Sequence, residues 1–568
     1  MKKIIKSFLL LSSALLAVSC NQDLLEIPQK GVVPLEEYYL PEDAEGAIAA
    51  VYSSGVRALI SGAIYMPWML VSNLPSDDLY AAGSNRGDND FSAQINEYRF
   101  ATDNDVTTAL YRNMYEFIWV ANLFLSNYDY GMSTETDRYV NEARVWRAWA
   151  HFYLATWWGN PPLTDHVLDA SDKPANTPHD ELMSWVIEEF KAAAPGIPSR
   201  ISPQDRNGAV RLTKEAVYSF LGKALVYAGR YDEAAQILKQ HVIDSGKYEL
   251  VSGPDMEFLY HEEGDNSSEK VFEFNVVDNP SLSSAQMRNN ITPWMHYNMW
   301  HWRDDRFAGG RPTEIRSNGW GGFNPTGEFA EALIANDGID SHRRKAWIKT
   351  YDEFLYELTW PSDATNTTLE LKKTDKNRGV SPSGGGLYGH EGYFQWKYVP
   401  FDRDKIARLG ELMENNVVVM RYAEVLLLYA EACAQSGTDL AGGLAALNMI
   451  QRRAGSNHVS TELTLAEVKN EKRFENWMEG TRFPDLRRWG DAATVLAEQG
   501  KAIPTFRDLI GDDDYTPVRT EHTGFVDWKD ANYNREGEYG FKTGKHEWLP
   551  YPLIEVQVNP NIVQNPGW

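Results

Sequence analysis

Four tryptophans, Trp294, Trp300, Trp302 and Trp320, crowd with Tyr297 into 27 residues interrupted by turn-forming glycines. Flat aromatic faces of this kind fit the C–H face of a sugar ring, whose equatorial hydroxyls need fixed donors and acceptors beside them. A shorter segment, MPWMLVSNLPSDDLY, offers both parts together: Trp68 as a platform, with Asn73, Asp77 and Asp78 able to bridge neighbouring hydroxyls. These nine residues are the candidate binding set, and at least one of the four clustered tryptophans is expected to stack on ligand. Each has a competing structural role. Half of the aromatic cluster would serve equally well as core, and Asp77 or Asp78 would cap the turn or helix start after Pro75.

The aromatic segment is also locally basic. Arg288, Arg303, Arg306, Arg311 and Arg316 stand against Asp304, Asp305 and Glu314. Arginine forks bind carboxylate or sulfate bidentately, so an acidic ligand is one reading; pairing of Arg303 and Arg306 with the adjacent aspartates is the other and the preferred one. Catalytic signatures are missing: the chain has no GxSxG elbow and no HExxH, and GFKTGK (540–545) is one residue short of a phosphate-binding loop. Asp512, Asp513 and Asp514 lack the alternating oxygen spacing of a calcium loop. No catalytic residue, metal site or cofactor is therefore expected.

The elements that position these residues begin after an export signal. Lys2, Lys3 and Lys6 precede an eleven-residue apolar run, Phe8 to Val18, far short of the roughly 20 residues a membrane-spanning helix needs. Leu16-Ala17-Val18-Ser19-Cys20 looks like a bacterial lipoprotein box, which makes residues 1–19 a removable signal and Cys20 the lipidated N-terminus. Lipidation leaves Cys433 without a partner, so the fold has no disulfide to rely on. The formal charge is −25, and −28 once the three signal lysines are gone. That excludes nucleic acid and general adhesion to anionic lipid as partners and leaves the lipid anchor as the only membrane contact.

Helical periodicity dominates the scaffold. Tyr139, Ala143, Trp146, Ala150, Tyr153 and Trp157 form one stripe that Gly159, Pro161 and Pro162 stop. Leu110, Met114, Ile118, Ala121 and Leu125 form another after an acidic start at Asp105. Two helical hairpins echo each other: Gly222, Gly229 and Ala234 in the first, Ala430, Gly437 and Gly442 in the second, about 208 residues on. A deeply buried helix is expected over Val419 to Gln435. Between the hairpins, DNPSLSS, RFAGGRP, NGWGGFNP and SPSGGG are turn chemistry. The expected organisation after Cys20 is a single domain over 20–568: a mainly α, tetratricopeptide-like helical-repeat scaffold (about 35–250 and 412–498). A large loop-rich insertion (about 253–411) carries the binding surface, and a second loop-rich region covers about 511–568.

The last twenty residues, LPYPLIEVQVNPNIVQNPGW, are apolar and interrupted by Pro550, Pro552 and Pro560, so an extended tail laid over a folded surface is expected. This tail closely resembles the terminal signature of the SusD-like (RagB/SusD) family. EARVWRAWAHFYLATWWGNPPL (142–163), RYAEVLLLYAEACAQSG, ALNMIQRRAG and EKRFENWMEGTRFPDLRRWG (471–490) are similar to its helical blocks, although Thr481 and Pro484 replace the family's usual His and an aromatic. The resemblance implies an outward-facing outer-membrane lipoprotein that binds oligosaccharide or polysaccharide without catalysis and sits on a TonB-dependent, SusC-like transporter. Asp23 and Glu26, just after Cys20, are similar to the acidic signal that directs such lipoproteins to the cell surface. The competing classes are an all-helical glycoside hydrolase, which needs two carboxylates facing across a cleft, and a helical-repeat scaffold that binds only protein.

Overall fold

The computed structural model describes residues 43–60, 66–81, 83, 88, 90–276, 281, 312–315, 319–350, 353, 357–359, 387–388, 392–399, 401, 415–501, 503–506, 525–528 and 539–568. Cys20, the arginines Arg288, Arg303, Arg306, Arg311 and Arg316, the aspartates Asp512, Asp513 and Asp514, and four of the candidate aromatics, Trp294, Tyr297, Trp300 and Trp302, lie outside these residues.

The scaffold is helical. Helices α1 (Ala44–Ile60), α2 (Pro67–Asn73), α3 (Asp105–Leu125), α4 (Thr134–Trp158), α5 (His179–Ala193), α6 (Lys214–Tyr227) and α7 (Tyr231–Leu238) follow one another, each long helix packed on the next from α3 to α7. The start of α3 is set by Asn104, whose side chain accepts the Val106 and Thr107 amides, and that of α4 by Ser133, which accepts the Thr136 amide. The chain then leaves at Leu238 and returns as α10 (Tyr422–Ser436), which packs directly on α7 and on α11 (Leu440–Ala454). The two echoing hairpins, α6–α7 and α10–α11, thus lie side by side. Gly437 takes the left-handed conformation (φ 76°) that closes α10.

Between α7 and α10 come α8 (Gly327–Asp337), α9 (His342–Trp347) and short antiparallel pairings. Strand β1 (Leu79–Tyr80) pairs with β3 (Asn324–Pro325), β2 (Lys270–Phe274) with β6 (Val417–Arg421), and β4 (Ile348–Thr350) with β5 (Tyr393–Gln395). A three-stranded sheet joins Leu387–Tyr388, Ile503–Phe506 and Phe525–Trp528. The C-terminal block adds α12 (Leu465–Glu475) and α13 (Arg482–Arg488).

Three sequence expectations need correction. The run Val419–Gln435 is not one helix: β-branched Val417, Val418 and Val419 belong to β6, held by pairing with β2, and α10 begins only at Tyr422. The stretch 253–411 is not irregular throughout. Thr326 and Ser341 cap α8 and α9 by accepting the Phe329 and Arg344 amides, a start signal already present in the sequence. The C-terminal tail is not extended throughout either. Leu553–Val558 forms a short surface helix, α14, entered from Pro552, whose fixed φ suits a helix start.

The core is aromatic along α4. Trp146, Trp149, Trp157 and Trp158 are fully buried, and burying an aromatic side chain of 150–250 Å² contributes roughly 4–6 kcal/mol at about 25 cal/mol per Å². The tail seals the end of this row: the Trp158 indole donates to the Pro550 carbonyl at 2.9 Å, and fully buried Tyr551 donates its hydroxyl to the Trp158 carbonyl at 3.1 Å. Asn565 donates to the carbonyls of Trp158 and Leu549. Gly159 makes the docking possible. It ends α4 at φ 76°, and a Cβ there would lie 2.8 Å from the Trp548 ring. Gly159→Ala is therefore expected to cost about 2 kcal/mol, seen as a lower urea midpoint and as faster proteolysis of the tail.

Candidate functional site

Helix α2 starts from Met66, held at φ 56°, with Pro67 at its first position. Its half-buried Trp68 does not stand free. The ring stacks on Trp149 at 5.3 Å and 21° and meets Tyr153 and Trp157 edge-on at 4.6 and 4.9 Å. Asn73, at the other end of α2, donates to the Met69 carbonyl at 3.1 Å and accepts the Gly480 amide at 2.9 Å. Its amide therefore clamps α2 to the segment that follows α12.

The turn after α2 carries Asp77 and Asp78 into β1, and the pairing of β1 with β3 brings a distant segment onto it. Leu79 opposes Pro325 and Tyr80 opposes Asn324. The Thr326 amide donates to the Asp78 carbonyl at 3.2 Å and the Thr326 hydroxyl to the Asp77 carbonyl at 3.1 Å. Trp320, half-buried against the core, stands four residues before β3. The pairing thus sets Thr326, just after β3, on the Asp77–Asp78 turn, whereas Trp320 precedes β3.

Both carboxylates of that turn have arginine partners. Asp77 accepts both nitrogens of an Arg482 fork at 2.8 Å, and Arg473 bonds Asp78 at 2.7 Å while lying 3.3 Å from Asp77. Burial alone would raise Asp77, but Arg482 and Arg473 hold its carboxyl below the usual range. Burial and the neighbouring Asp77 charge push Asp78 up to about 6. The arrangement is a four-membered ion cluster joining the turn to α12 and α13, with the charges of Asp77 and Asp78 offset by two arginines. Arg473 and Arg482 belong to this site and were not among the residues singled out from the sequence. The signal that points to them is the need of adjacent, buried carboxylates for nearby cations.

Chemically, the described part of the site is the ion-paired Asp77–Asp78 turn, and the two described candidate aromatics, Trp68 and Trp320, are both half-buried against the core. Among the described residues, no group of three or more His, Cys, Asp and Glu side chains could hold a metal ion. Among them, too, no helix is long and apolar enough to cross a membrane.

A family model described as the SusD family matches residues 269–568, and one described as starch-binding associating with outer membrane matches residues 68–226. SusD-like protein P2 of Formosa agariphila is 22% identical over 521 residues, covering 86% of this chain and 91% of that protein. A SusD-like protein of Bacteroides ovatus is 24% identical, covering 99% of this chain and 97% of its own. Among solved structures, a laminarin binding SusD-like protein superposes with a TM-score of 0.70 at 21% identity, covering 93% of this chain and 99% of that one. Surface glycan-binding protein A from Bacteroides thetaiotaomicron, in complex with laminarihexaose, gives 0.68 at 20% identity, covering 92% of this chain and 99% of that one. At these identities the structural likeness shows a shared fold.

Proposed function

The chain belongs to the SusD family, and from that premise we propose that it is a glycan-binding lipoprotein of the outer membrane. In this reading Cys20 carries the lipid and the folded body, residues 20–568, faces outward. It captures oligosaccharide or polysaccharide without cleaving it and passes the chain to a TonB-dependent, SusC-like transporter. Capture followed by release calls for modest affinity, on the order of micromolar to millimolar.

The observation that carries the reading is the match of the SusD family model to residues 269–568, together with a fold shared with SusD-like proteins over 92–93% of the chain. The names of its structural relatives, which include laminarin- and glycan-binding proteins, support the ligand class. Within the site, aromatic stacking falls to Trp320 and to the cluster Trp294, Tyr297, Trp300 and Trp302. Trp68, Asn73, Asp77 and Asp78 act in support, because their rings and polar atoms are engaged within the protein.

The test is affinity electrophoresis of the chain from residue 21 through gels containing amylopectin, laminarin, xylan, galactomannan or polygalacturonate. One polymer is expected to retard it, and Trp320→Ala to weaken that binding about tenfold, or about 1.4 kcal/mol. Release of reducing ends from the retained polymer would favour the hydrolase instead. A folded protein that no polymer retards would overturn the glycan reading.

A further inference from the structure

Helix α1 carries charge at only two of its 17 positions, Glu45 and Arg57, one near each end. The residues left exposed between them, Gly46, Ala49, Ala50 and Ser53, are all small, and space is open beyond Gly46. A helix side that faces water normally carries long polar side chains, and a helix without them on any side is a covered one. Along this side of α1 runs a groove of about 370 Å³, completed by the end of β2 and the segment around Val210. Its α1 wall runs from Glu45 to Val56, a span of about 16 Å at 1.5 Å per residue.

The floor of the groove is apolar but offers no ring to stack on. Phe272 and Phe274 are buried and packed on Trp146 at 4.8 and 5.0 Å. The Tyr52 hydroxyl donates to Glu142 at 3.0 Å and accepts the Leu212 amide at 3.2 Å, and Arg211 lies over the ring at 5.5 Å. Val210, 44% exposed, adds an apolar lip. Such a surface takes aliphatic side chains, and small residues along its wall let a backbone approach closely. Both are what an extended stretch of polypeptide presents.

The chain supplies such a stretch at the mouth of the groove. The described residues begin at Asp43, so the chain enters α1 beside Glu45, at one end of the wall. Nine of the 18 residues from Leu24 to Pro41 are large and apolar, and Pro28, Pro34 and Pro41 bar a helix. A solvated linker has a different composition, poor in aromatic and β-branched residues. We propose that residues 32–40 double back from the start of α1 and dock in this groove, antiparallel to α1. Extended at about 3.3 Å per residue, about five residues cover the wall, with Val33 and Leu35 on one side, toward the floor. The connection through Pro41 and Glu42 is short, which raises the effective concentration of the segment at the groove to about millimolar.

Docking does not depend on the glycan reading. With lipid on Cys20, as proposed above, it leaves only residues 21–31 as free tether, about 36 Å when extended against about 73 Å for residues 21–42. The docked strap then sets how far the folded body stands from the membrane. Hydrogen exchange on the chain from residue 21 tests the docking itself, whether or not Cys20 is lipidated. The amides of residues 32–40 are expected to exchange about tenfold or more slowly than in a free peptide of the same sequence. Ala49 lines the groove from the exposed side of α1, so Ala49→Trp places an indole in it and should return those amides to the peptide rate.

Exchange at the peptide rate in the intact chain would overturn the proposal. Slow exchange that Ala49→Trp leaves unchanged would mean that the segment docks elsewhere, and the groove assignment falls. Disulfide trapping gives a second readout that needs no bulky substitution. Val33→Cys with Ala49→Cys should close a bond within one chain, whereas Val33→Cys with Ala445→Cys, exposed on α11, should not. Buried Cys433 does not compete. A bond from Ala49→Cys to the same position of another chain would make a second copy the occupant and overturn the strap.

Discussion

Arg421→Met is expected to destabilise the protein by about 3–5 kcal/mol. Arg421 is fully buried at the end of β6. It bonds Glu475 at 3.0 Å and Glu479 at 3.0 and 2.5 Å, and it also bonds Glu269. Arg453 bonds the same Glu269 and Glu475 at 2.8 and 2.5 Å, Arg343 reaches Glu475 at 3.2 Å, and Lys397 bonds Glu479 at 2.6 Å. Arg343 is fixed in turn by both oxygens of Asp337 at 2.8 Å, and it also bonds Glu471. The network ties α8 and α9 and the segment after β5 to α11 and α12. Removing Arg421 leaves fully buried Glu269 and Glu475 short of a cation, and that uncompensated charge is the origin of the large effect. Urea unfolding followed by tryptophan fluorescence reads it directly. A loss under 1 kcal/mol would mean that water or a proton enters to compensate.

The second large effect is a pH dependence centred on Glu431. This fully buried carboxylate accepts from both Arg488 terminal nitrogens, from Lys472 at 2.9 Å and from the Trp489 indole at 2.7 Å. Burial would raise its pKa, yet Lys472 and Arg488 outweigh burial and hold it down to about 2, from 4.5 for a free glutamate. The folded state therefore resists protonation that the unfolded chain accepts. The resulting stability is fully present above about pH 4.5 and is lost as pH falls through about 2, and it amounts to roughly 3 kcal/mol at neutral pH. Glu431→Gln isolates it. The gap in unfolding free energy between the two proteins should be near its full size at pH 7 and narrow steadily between pH 4.5 and 2. A gap that stays constant over that range would refute the assignment. Glu471 runs the other way, since burial raises it, so Glu471→Gln should not reproduce the pattern.

What the sequence determined by itself was the local structure and the family. The stripes on α3 and α4 and the two hairpins are legible because helix periodicity and glycine stops are local properties, written within a few turns of chain. The tail and the blocks at 142–163 and 471–490 carried the family resemblance for the same reason. Tertiary structure decided the rest. Only the pairing with β2 shows that Val417 to Arg421 is strand rather than the first turn of a buried helix. Only β1–β3 pairing brings Thr326 onto the Asp77–Asp78 turn, and only the fold shows Trp68 edge-on to Tyr153 and Trp157 in the α4 core. Asp77 and Asp78 read equally well as sugar ligands or turn caps. Their actual partners, Arg482 and Arg473, lie 405 and 395 residues away in the chain. A carboxylate is satisfied by whichever cation the fold brings within about 3 Å. Periodicity carries no information about that choice, because it is made through space and not along the chain.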